Sequence, residues 1–463
     1  MNRNASTSQS RGWLDRVSDA PDGPIYLAIT DALAEAIRSG ELQPGERLPA
    51  QRAVASALGI DFTTVTRAYA LARERGLVEG EVGRGTFVRA RAEADEAGLV
   101  DLSMNLPPPP LGLSLGALLA DTTSAILRRT DAATLMAYHP GAGALGQRLA
   151  GGRWLTPVVG EVAVERILVA PGAQAALAAV LSTIARPGQV VVADPLTYPG
   201  LLGLAGQLGL RVVACPGDAD GMLPDALEKI CRAETPAAVY TCPTLQNPRA
   251  ITLPPGRRRQ IAEVVRRAGV WLVEDDPYSR LLDAPPAALA ALAPERTFHI
   301  ATLSKILSPG LRVAYVVCPD LIQAEAIAAA LRALALNPAP LMVAVASAWI
   351  REGEADRVLA GVRAEARARR ALAAELAPAA LGPPESLHVW LPLPDMAAAE
   401  RLRVAAQAQG LALVTSDAFA AGPTAPSGVR ISLGGPGRRE VLEAALRRVA
   451  GLVEPPARRR DIV

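Results

Sequence analysis

The sequence is nearly devoid of lysine: of its 48 lysine and arginine residues, only Lys229 and Lys305 are lysines. Arginine replaces lysine in most charged contacts, but its guanidinium stays protonated and does not form an imine, as a lysine amine can. A lysine that persists in such a chain is therefore a candidate for amine chemistry. Lys229 lies in a polar stretch that is typical of a solvated helix. Lys305 lies in Thr302-Leu303-Ser304-Lys305, seven residues before Arg312, and is the stronger candidate.

Cysteine and histidine are also scarce, with four and three residues in a chain of 463. The cysteines form no CxxC pair and are scattered, which argues against a zinc site and against a disulfide framework. Every apolar run is broken by charge, glycine or proline before it reaches the length of a membrane span. The first residues lack the apolar core of a signal peptide. We therefore expect a cytoplasmic protein without a membrane partner.

The length predicts two or three domains, because 463 residues are too many for one average core. Residues 1–23 are predicted to be an N-terminal tail, and residues 24–88 show short helical patterns with a glycine-rich end. Residues 89–99 are charged, alanine-rich and typical of a linker. Beyond the linker, short apolar runs alternate with helical patterns, which predicts an α/β domain over residues 100–463. The clearest predicted strands are 167–170, 190–193, 237–240 and 270–273.

Residues 24–88 contain the elements of a helix-turn-helix. Apolar residues at helical spacing predict a first helix over 25–39, and Pro49 opens a second helix. Asp61 is the predicted N-cap of a third helix, which a turn with Gly59 separates from the second. The alternation around Gly83-Arg84-Gly85 then predicts a β-hairpin wing.

The third helix and its surroundings supply candidate contacts to DNA. The side chains that could reach base edges or phosphates are Arg47, Arg52, Thr63, Thr64, Arg67 and Arg84. Each alone is weak evidence, because an exposed arginine is usually only solvated. Charge does not help, since residues 1–90 carry 11 arginines against 11 acidic residues.

The order of these motifs resembles the winged helix of GntR-type bacterial regulators, over essentially the whole of residues 24–88. The resemblance rests on Leu48-Pro49-Ala50-Gln51-Arg52, Leu58-Gly59, Thr64-Val65-Thr66-Arg67-Ala68-Tyr69 and Gly83-Arg84-Gly85-Thr86-Phe87-Val88. Gln51, in the first of these motifs, is a further predicted DNA contact. The chain departs from the family at Asp61-Phe62, where many members carry Ser-Arg. This difference removes a phosphate contact and leaves the operator preference open.

The region after the linker offers a candidate for each group that pyridoxal 5′-phosphate needs: a lysine for the imine, a carboxylate for the ring nitrogen, donors for O3′ and a phosphate cradle. Lys305 is the candidate lysine. Asp275 ends an apolar strand and precedes Tyr278, which suits the ring-nitrogen and O3′ roles. Backbone N–H groups at Gly172-Ala173-Gln174, between a strand and a helix, suit the phosphate. Taken singly, the last two motifs are weak evidence.

Three further residues fit such a site. Asn247 follows a strand and offers an amide for O3′, and Tyr198 follows another strand and could stack on the ring. Arg430 lies in the apolar strand Val429-Arg430-Ile431, where a buried charge needs a partner, and a substrate carboxylate would serve.

Taken in order, these residues resemble fold-type I aminotransferases from about residue 100 to about residue 450. The resemblance implies an α/β fold, with a large mixed or parallel sheet subdomain at about 115–330 and a smaller C-terminal α+β subdomain at about 335–455. It implies that Lys305, Asp275 and Tyr278 are the catalytic residues. The implied contacts to the cofactor and substrate are Asp275 at N1, Asn247 and Tyr278 at O3′, Gly172, Ala173, Gln174, Thr302 and Arg312 at the phosphate, Tyr198 on the ring, Tyr138 at the partner subunit's phosphate and Arg430 at the α-carboxylate.

A GntR-like winged helix followed by an aminotransferase-like domain resembles the MocR subgroup of bacterial transcription regulators. The resemblance implies a homodimer that binds pyridoxal phosphate and double-stranded operator DNA, and that senses an amine, amino acid or pyridoxal vitamer through Lys305. The alternative is an aminotransferase with an accessory winged helix, because every residue for half-transamination is present. A DNA-binding protein that has lost its cofactor fits less well, since Lys305 and Asp275 are retained. The effector, the operator and the direction of regulation stay open.

Overall fold

The computed structural model describes residues 11–18, 23–39, 41–42, 45–75, 77–81, 85–88, 99–135, 137–138 and 141–453. The chain forms two compact units, Met1–Glu93 with Ser114–Asp121, and Ala94–Leu113 with Thr122–Val463. We call them the winged-helix unit and the α/β unit. Within the described ranges, no helix is both long and apolar enough to cross a membrane.

The winged-helix unit has the helix-turn-helix and hairpin that the sequence predicts. Its elements are α1 (Arg11–Ser18), α2 (Ile25–Arg38), α3 (Gln51–Leu58), α4 (Phe62–Glu74), β1 (Val78–Glu81) and β2 (Gly85–Val88). Helix α3 ends at Gly59, whose φ of 65° is a left-handed conformation that glycine adopts without strain. Asp61 caps α4 by accepting a hydrogen bond from the Thr63 N–H at 2.7 Å. Residues 82–84 at the tip of the wing, including Arg84, lie outside the described residues.

Helix α1 extends this unit into the region for which the sequence predicts an N-terminal tail. Trp13 is fully buried and Leu14 nearly so, and both belong to the core that Ile29, Leu33 and Val65 also form. The apolar surface of a tryptophan is large enough to hold a short, otherwise polar helix against a core. The tail prediction is therefore wrong for residues 11–18.

The α/β unit is built on a seven-stranded mixed sheet of order β4-β12-β11-β10-β9-β5-β6. Strand β12 runs antiparallel to both of its neighbours, and the other pairs are parallel. The strands of the unit are β3 (Val100–Asp101), β4 (Ile167–Ala170), β5 (Val190–Ala193), β6 (Arg211–Ala214), β7 (Gly217–Asp218), β8 (Gly221–Met222), β9 (Ala238–Thr241), β10 (Trp271–Asp275), β11 (Thr297–Thr302), β12 (Ala314–Val317), β13 (His388–Pro392), β14 (Leu411–Ala412), β15 (Val414–Thr415) and β16 (Gly428–Ser432). The four predicted strands are confirmed to within two residues at each end.

Helices cover the sheet, and strand β5 shows why its apolar run is continuous. Val191 and Ala193 pack into one core cluster, whereas Val190 and Val192 pack into another. A strand that is buried on both faces cannot alternate polar and apolar residues. The helices that follow the linker are α5 (Leu115–Arg129), α6 (Ala132–Leu135), α7 (Leu145–Val159), α8 (Ala173–Ile184), α9 (Pro199–Gln207), α10 (Pro224–Glu234), α11 (Pro255–Ala268), α12 (Leu289–Leu292), α13 (Leu321–Ala335), α14 (Pro340–Glu352), α15 (Glu354–Leu376), α16 (Met396–Ala408) and α17 (Arg439–Val453).

A smaller sheet of order β13-β16-β15 lies in the C-terminal part, and helices α15 to α17 share its apolar core. Strand β3, the first strand of the α/β unit, pairs in parallel with β14 of this part. The chain therefore brings residues 100–101 to its C-terminal region. The predicted linker lies outside the described residues except for Leu99. The large mixed sheet with a smaller α+β part confirms the predicted fold class.

Candidate functional site

The candidate cofactor residues meet at one edge of the large sheet. Asp275 is the last residue of β10, and Lys305 and Gly172 follow β11 and β4 by three and two residues. Tyr198 and Asn247 follow β5 and β9. Because these strands run in the same direction, their carboxyl ends bring together side chains that are far apart in sequence.

Lys305 has an amine with a perturbed proton affinity. Its Nζ donates a hydrogen bond to the backbone carbonyl of Asn105 at 2.6 Å. Burial, together with the positive charges of Arg430 and Arg312 and against the opposing charge of Asp275, lowers the pKa of Lys305 to about 8. A lysine with this pKa is partly neutral near physiological pH, which is what nucleophilic amine chemistry requires.

Asp275 is 8% exposed, and one of its oxygens is held by the chain itself. The Tyr240 hydroxyl donates a hydrogen bond of 2.6 Å to Oδ2, whereas Oδ1 has no partner in the described part of the chain. Burial raises the pKa of Asp275 to about 6, although the bond from Tyr240 lowers it. A buried carboxylate oxygen without a donor fits a protonated ring nitrogen.

Tyr278 belongs to a buried hydrogen-bond group that the sequence does not predict. The Asn105 amide donates to the Tyr278 hydroxyl at 2.8 Å, and the same amide lies 3.0 Å from Nδ1 of His388. Nε2 of His388 lies 3.3 Å from the carbonyl of Gln246. Burial and the charge of Arg430 lower the pKa of His388 to about 3. His388 is therefore neutral, with Nδ1 as the acceptor and Nε2 as the donor.

Arg430 is 7% exposed and binds oxygens of the chain itself. Nη1 donates to Oδ1 of Asn247 at 2.7 Å, Nη2 donates to the Ser103 carbonyl, and Nε has no partner in the described part of the chain. The guanidinium lies 5.0 Å from the centre of the Phe419 ring. Burial lowers the pKa of Arg430 to about 10. A buried cation whose hydrogen bonds go only to neutral oxygens fits a carboxylate ligand.

The predicted phosphate cradle is formed at the start of α8. Gly172 has a φ of 93°, and a Cβ there would lie 2.8 Å from Nη2 of Arg312. Glycine is therefore needed both for the backbone conformation and for the close approach of the guanidinium. Ala173 is the first residue of the helix, so its N–H lies at the positive end of the helix dipole.

Three more predicted residues lie around this cradle. Gln174 donates to the carbonyl of Gly200 at 2.9 Å. Thr302 accepts a hydrogen bond from the Ser304 N–H at 3.2 Å, immediately before Lys305. Burial and the negative charge of Asp275 raise the pKa of Tyr198, and the positive charge of Arg312 opposes this change. Tyr138 is 77% exposed, so its role at a partner's phosphate stays a prediction.

Beneath Asp275 lies a second charged group that the sequence does not predict. Glu274 is buried and accepts hydrogen bonds from the N–H groups of Leu289 and Ala290 and from Nδ1 of His299, at 2.8 to 2.9 Å. Burial alone would lower the pKa of His299, but Glu274 and the neighbouring aspartates raise it overall. This group fixes the end of β10 and so the backbone of Asp275.

On the winged-helix unit, the predicted DNA contacts lie on or near α3 and α4. Arg47, Arg52, Thr63 and Arg67 are exposed, and Gln51 and Thr64 are half-buried. The guanidinium of Arg67 lies 4.0 Å from the centre of the Tyr26 ring. Gln51 accepts a hydrogen bond from Thr66 at 2.9 Å, which ties α3 to α4.

Comparison with known proteins agrees with this arrangement. Residues 100–449 match the family of class I and II aminotransferases, and residues 25–88 match the gntR family of bacterial regulatory proteins. The chain is 30% identical over 440 residues to YdeF of Bacillus subtilis, an uncharacterized HTH-type transcriptional regulator, covering 92% of this chain and 94% of YdeF. The chain belongs to the MocR-type regulators of the GntR family.

One further relative and one solved structure are similar to this MocR-type regulator. The HTH-type pyridoxine biosynthesis transcriptional regulator PdxR of Corynebacterium glutamicum is 29% identical over 305 residues, covering 64% of this chain and 66% of PdxR. The structure of LysN, an α-aminoadipate aminotransferase from Thermus thermophilus, has a TM-score of 0.69 and 24% identity, covering 83% of this chain and 97% of LysN. The likeness to LysN shows the aminotransferase fold alone.

The aminotransferase family implies pyridoxal 5′-phosphate as the cofactor, and the residues of this regulator fit it. The unpartnered Oδ1 of Asp275 suits the ring nitrogen, and the depressed pKa of Lys305 suits a bond to the aldehyde. The cradle at Gly172 and Arg312 suits the phosphate. These observations on three parts of the cleft fit three different groups of the cofactor: the ring nitrogen, the aldehyde and the phosphate.

Proposed function

We propose that this MocR-type regulator changes its binding to the operator when an amine, an amino acid or a pyridoxal vitamer binds in the Lys305 cleft. One observation carries the proposal. The two cations that a cofactor and a carboxylate would engage, Lys305 and Arg430, are both bonded to carbonyls of one short segment, Ser103 and Asn105. In sequence, this segment directly follows the linker to the winged-helix unit.

The segment is tightly packed as well as bonded. Its strand β3 pairs with β14, with Val100 opposite Leu411. Gly434 lies so close to the Leu106 carbonyl that there is no room for a Cβ, and a Cβ at Gly361 would lie 2.9 Å from the Leu111 carbonyl. At these two points the close backbone contacts leave the segment little room for small local adjustments.

Ligands and this segment compete for the same donors. A carboxylate that binds Arg430 would replace the Ser103 carbonyl as the acceptor of the guanidinium. A cofactor that binds Lys305 would break the hydrogen bond from its amine to the Asn105 carbonyl. Because each ligand replaces a hydrogen bond of the segment, the affinity for the ligand depends on the position of the segment. A ligand whose affinity differs between two conformations can regulate the protein.

We assign the remaining cleft residues the roles that the resemblance to fold-type I aminotransferases implies. Bound pyridoxal phosphate supplies an electrophilic carbon for the amine of Lys305 and for an incoming amine. Asp275 would hold the ring nitrogen, Tyr278 and Asn247 would bind O3′, and Tyr198 would cover the ring. Gly172, Ala173, Gln174, Thr302 and Arg312 would hold the phosphate, with Tyr138 from a partner subunit in a homodimer.

The second candidate function is transamination. It is favoured by the perturbed amine of Lys305 near a buried Asp275, and by the buried Arg430, which could bind a carboxylate. These groups could hold a substrate and move a proton as they do in an aminotransferase. The winged helix then has no role in the reaction. We therefore place regulation first, with a site of action in the cytoplasm.

A spectroscopic titration separates these two functions. The purified full-length protein is loaded with pyridoxal phosphate and titrated with amino acids and amines, with and without a keto acid as acceptor. The regulator proposal predicts that one class of amine changes the visible absorbance band and that no product accumulates beyond one equivalent. Sustained turnover with the acceptor would overturn the proposal in favour of transamination.

A further inference from the structure

An aromatic side chain is exposed at the start of the second helix of the helix-turn-helix. Phe62 is the first residue of α4 and is 44% exposed. The apolar residues on the inner face of α4, including Val65, Ala68 and Tyr69, are buried in the core of the unit, and Phe62 is not part of that core. Single exposed apolar side chains are common on protein surfaces, so the position of Phe62 at the start of the second helix of the helix-turn-helix is what bears on its role.

The backbone at this position is fixed. Asp61 accepts hydrogen bonds from both the N–H and the hydroxyl of Thr63, which holds the first turn of α4 in place. Gly59 closes the preceding turn in a left-handed conformation. The Phe62 ring therefore stands on a rigid helix start rather than on a loop.

The surroundings of the ring favour nucleic acid over an apolar protein partner. The guanidinium of Arg52 lies 5.9 Å from the ring centre, and the exposed Thr63 follows it in the chain. One turn further along α4, the hydroxyl of Thr66 is bonded to Gln51. The apolar ring thus lies beside hydroxyls and a cation, the groups that contact a DNA backbone, and next to the Asp61 carboxylate, which is engaged by the first turn of α4.

In a helix-turn-helix, the first residues of the second helix contact base edges in the major groove. The 5-methyl group of thymine is the apolar feature of those edges, and phenylalanine is among the side chains that contact it. We propose that Phe62 contacts the methyl group of a thymine in each operator half-site and thereby sets the base preference there. This inference rests on the DNA-binding function of the winged-helix unit and adds a specific contact to it.

The test removes the methyl group from the DNA and the ring from the protein, separately and together. The probe is a duplex enriched from a random-sequence library by the full-length protein, in which each thymine is replaced in turn by deoxyuridine. We expect one thymine of each half-site at which the replacement weakens binding by about four-fold, the effect of removing one buried methyl group. Phe62→Ala should bind the thymine and deoxyuridine duplexes equally, and Phe62→Leu should still prefer thymine.

Ile25 provides a matched control. It is also the first residue of a helix, α2, and is 47% exposed, but it does not lie in the helix-turn-helix. Ile25→Ala should keep the full preference for thymine. A Phe62→Ala protein that keeps the preference, or a wild-type protein that shows none at any thymine, would overturn the contact while leaving DNA binding intact. Failure to enrich any duplex would overturn the DNA-binding function as well.

Discussion

In the cofactor cleft, Arg430 is buried, and its two terminal nitrogens are bonded to oxygens of the chain. On the winged-helix unit, Arg52 is exposed, and its guanidinium lies over the ring of Phe62. The cleft is thus held in shape before any ligand arrives. On the predicted DNA-binding face, no hydrogen-bond partner of Arg52 is seen among the described residues, and we expect the DNA to supply one. Substitutions in the cleft should therefore disturb a preformed network, whereas substitutions on the DNA-binding face should mainly affect the complex with DNA.

The largest expected effect is on the cleft side of this comparison. Lys305→Ala should abolish the visible absorbance of the bound cofactor, because no other residue of the cleft offers an amine. The measurement is an absorbance spectrum after incubation with pyridoxal phosphate and removal of the excess. Lys229→Ala removes the other lysine of the chain, which lies on α10, and should leave the spectrum unchanged. A cofactor band that survived in Lys305→Ala would show that the amine is misassigned.

A pH effect on stability should follow from the same amine. The pKa of Lys305 is about 8 in the folded chain and ordinarily 10.5, so between these values the unfolded chain binds more protons. The free energy of unfolding of the cofactor-free protein should therefore rise with pH across this interval, by about 3 kcal/mol from this group. Urea unfolding of the wild type and of Lys305→Met, compared at each pH, isolates the effect. A constant difference between the two proteins would contradict the lowered pKa.

Asp275 should matter less than Lys305 but more than its donor Tyr240. Asp275→Asn replaces a charge-assisted hydrogen bond to the ring nitrogen by a neutral one, and should weaken cofactor binding by about 10- to 100-fold. Tyr240→Phe removes one hydrogen bond to the carboxylate and should cost about five-fold. Equilibrium titration with pyridoxal phosphate measures both. If Tyr240→Phe cost as much as Asp275→Asn, the tyrosine would be a cofactor ligand in its own right.

The smallest expected effect is on the DNA-binding face. Arg67→Ala should weaken operator binding and lower the slope of log affinity against log salt by about one, as the loss of one phosphate contact does. The cofactor absorbance should not change, because Arg67 lies in the winged-helix unit. Fluorescence anisotropy at several salt concentrations gives the slope. An unchanged slope would mean that Arg67 serves the fold through its contact with Tyr26.

The comparison also shows what sequence reasoning can and cannot find. Lys305 and Asp275 are predictable, because the first is a rare amine in an arginine-rich chain and the second is a carboxylate that ends an apolar strand. Asn105 and His388 are not, because the fold brings them to Tyr278 from 173 and 110 residues away. The scarcity of histidine is the one signal that could have drawn attention to His388.

Backbone groups and short helices are hidden from the sequence for different reasons. The Ser103 and Asn105 carbonyls are present in any sequence, so nothing marks them as partners of Arg430 and Lys305 before the fold is known. Helix α1 has eight residues, too few for a periodic pattern, and its place in the core depends on Trp13. The mixed sheet, in contrast, follows from strands whose apolar runs are unbroken.

We expect occupancy of the Lys305 cleft to change operator binding. The most direct measurement is the affinity of the full-length protein for its enriched duplex, by anisotropy, with and without pyridoxal phosphate and during titration with amines. We expect the amine that alters the visible absorbance to alter the operator affinity over the same concentration range, and to have no such effect in Lys305→Ala. An absorbance change without any change in operator affinity would contradict the claim.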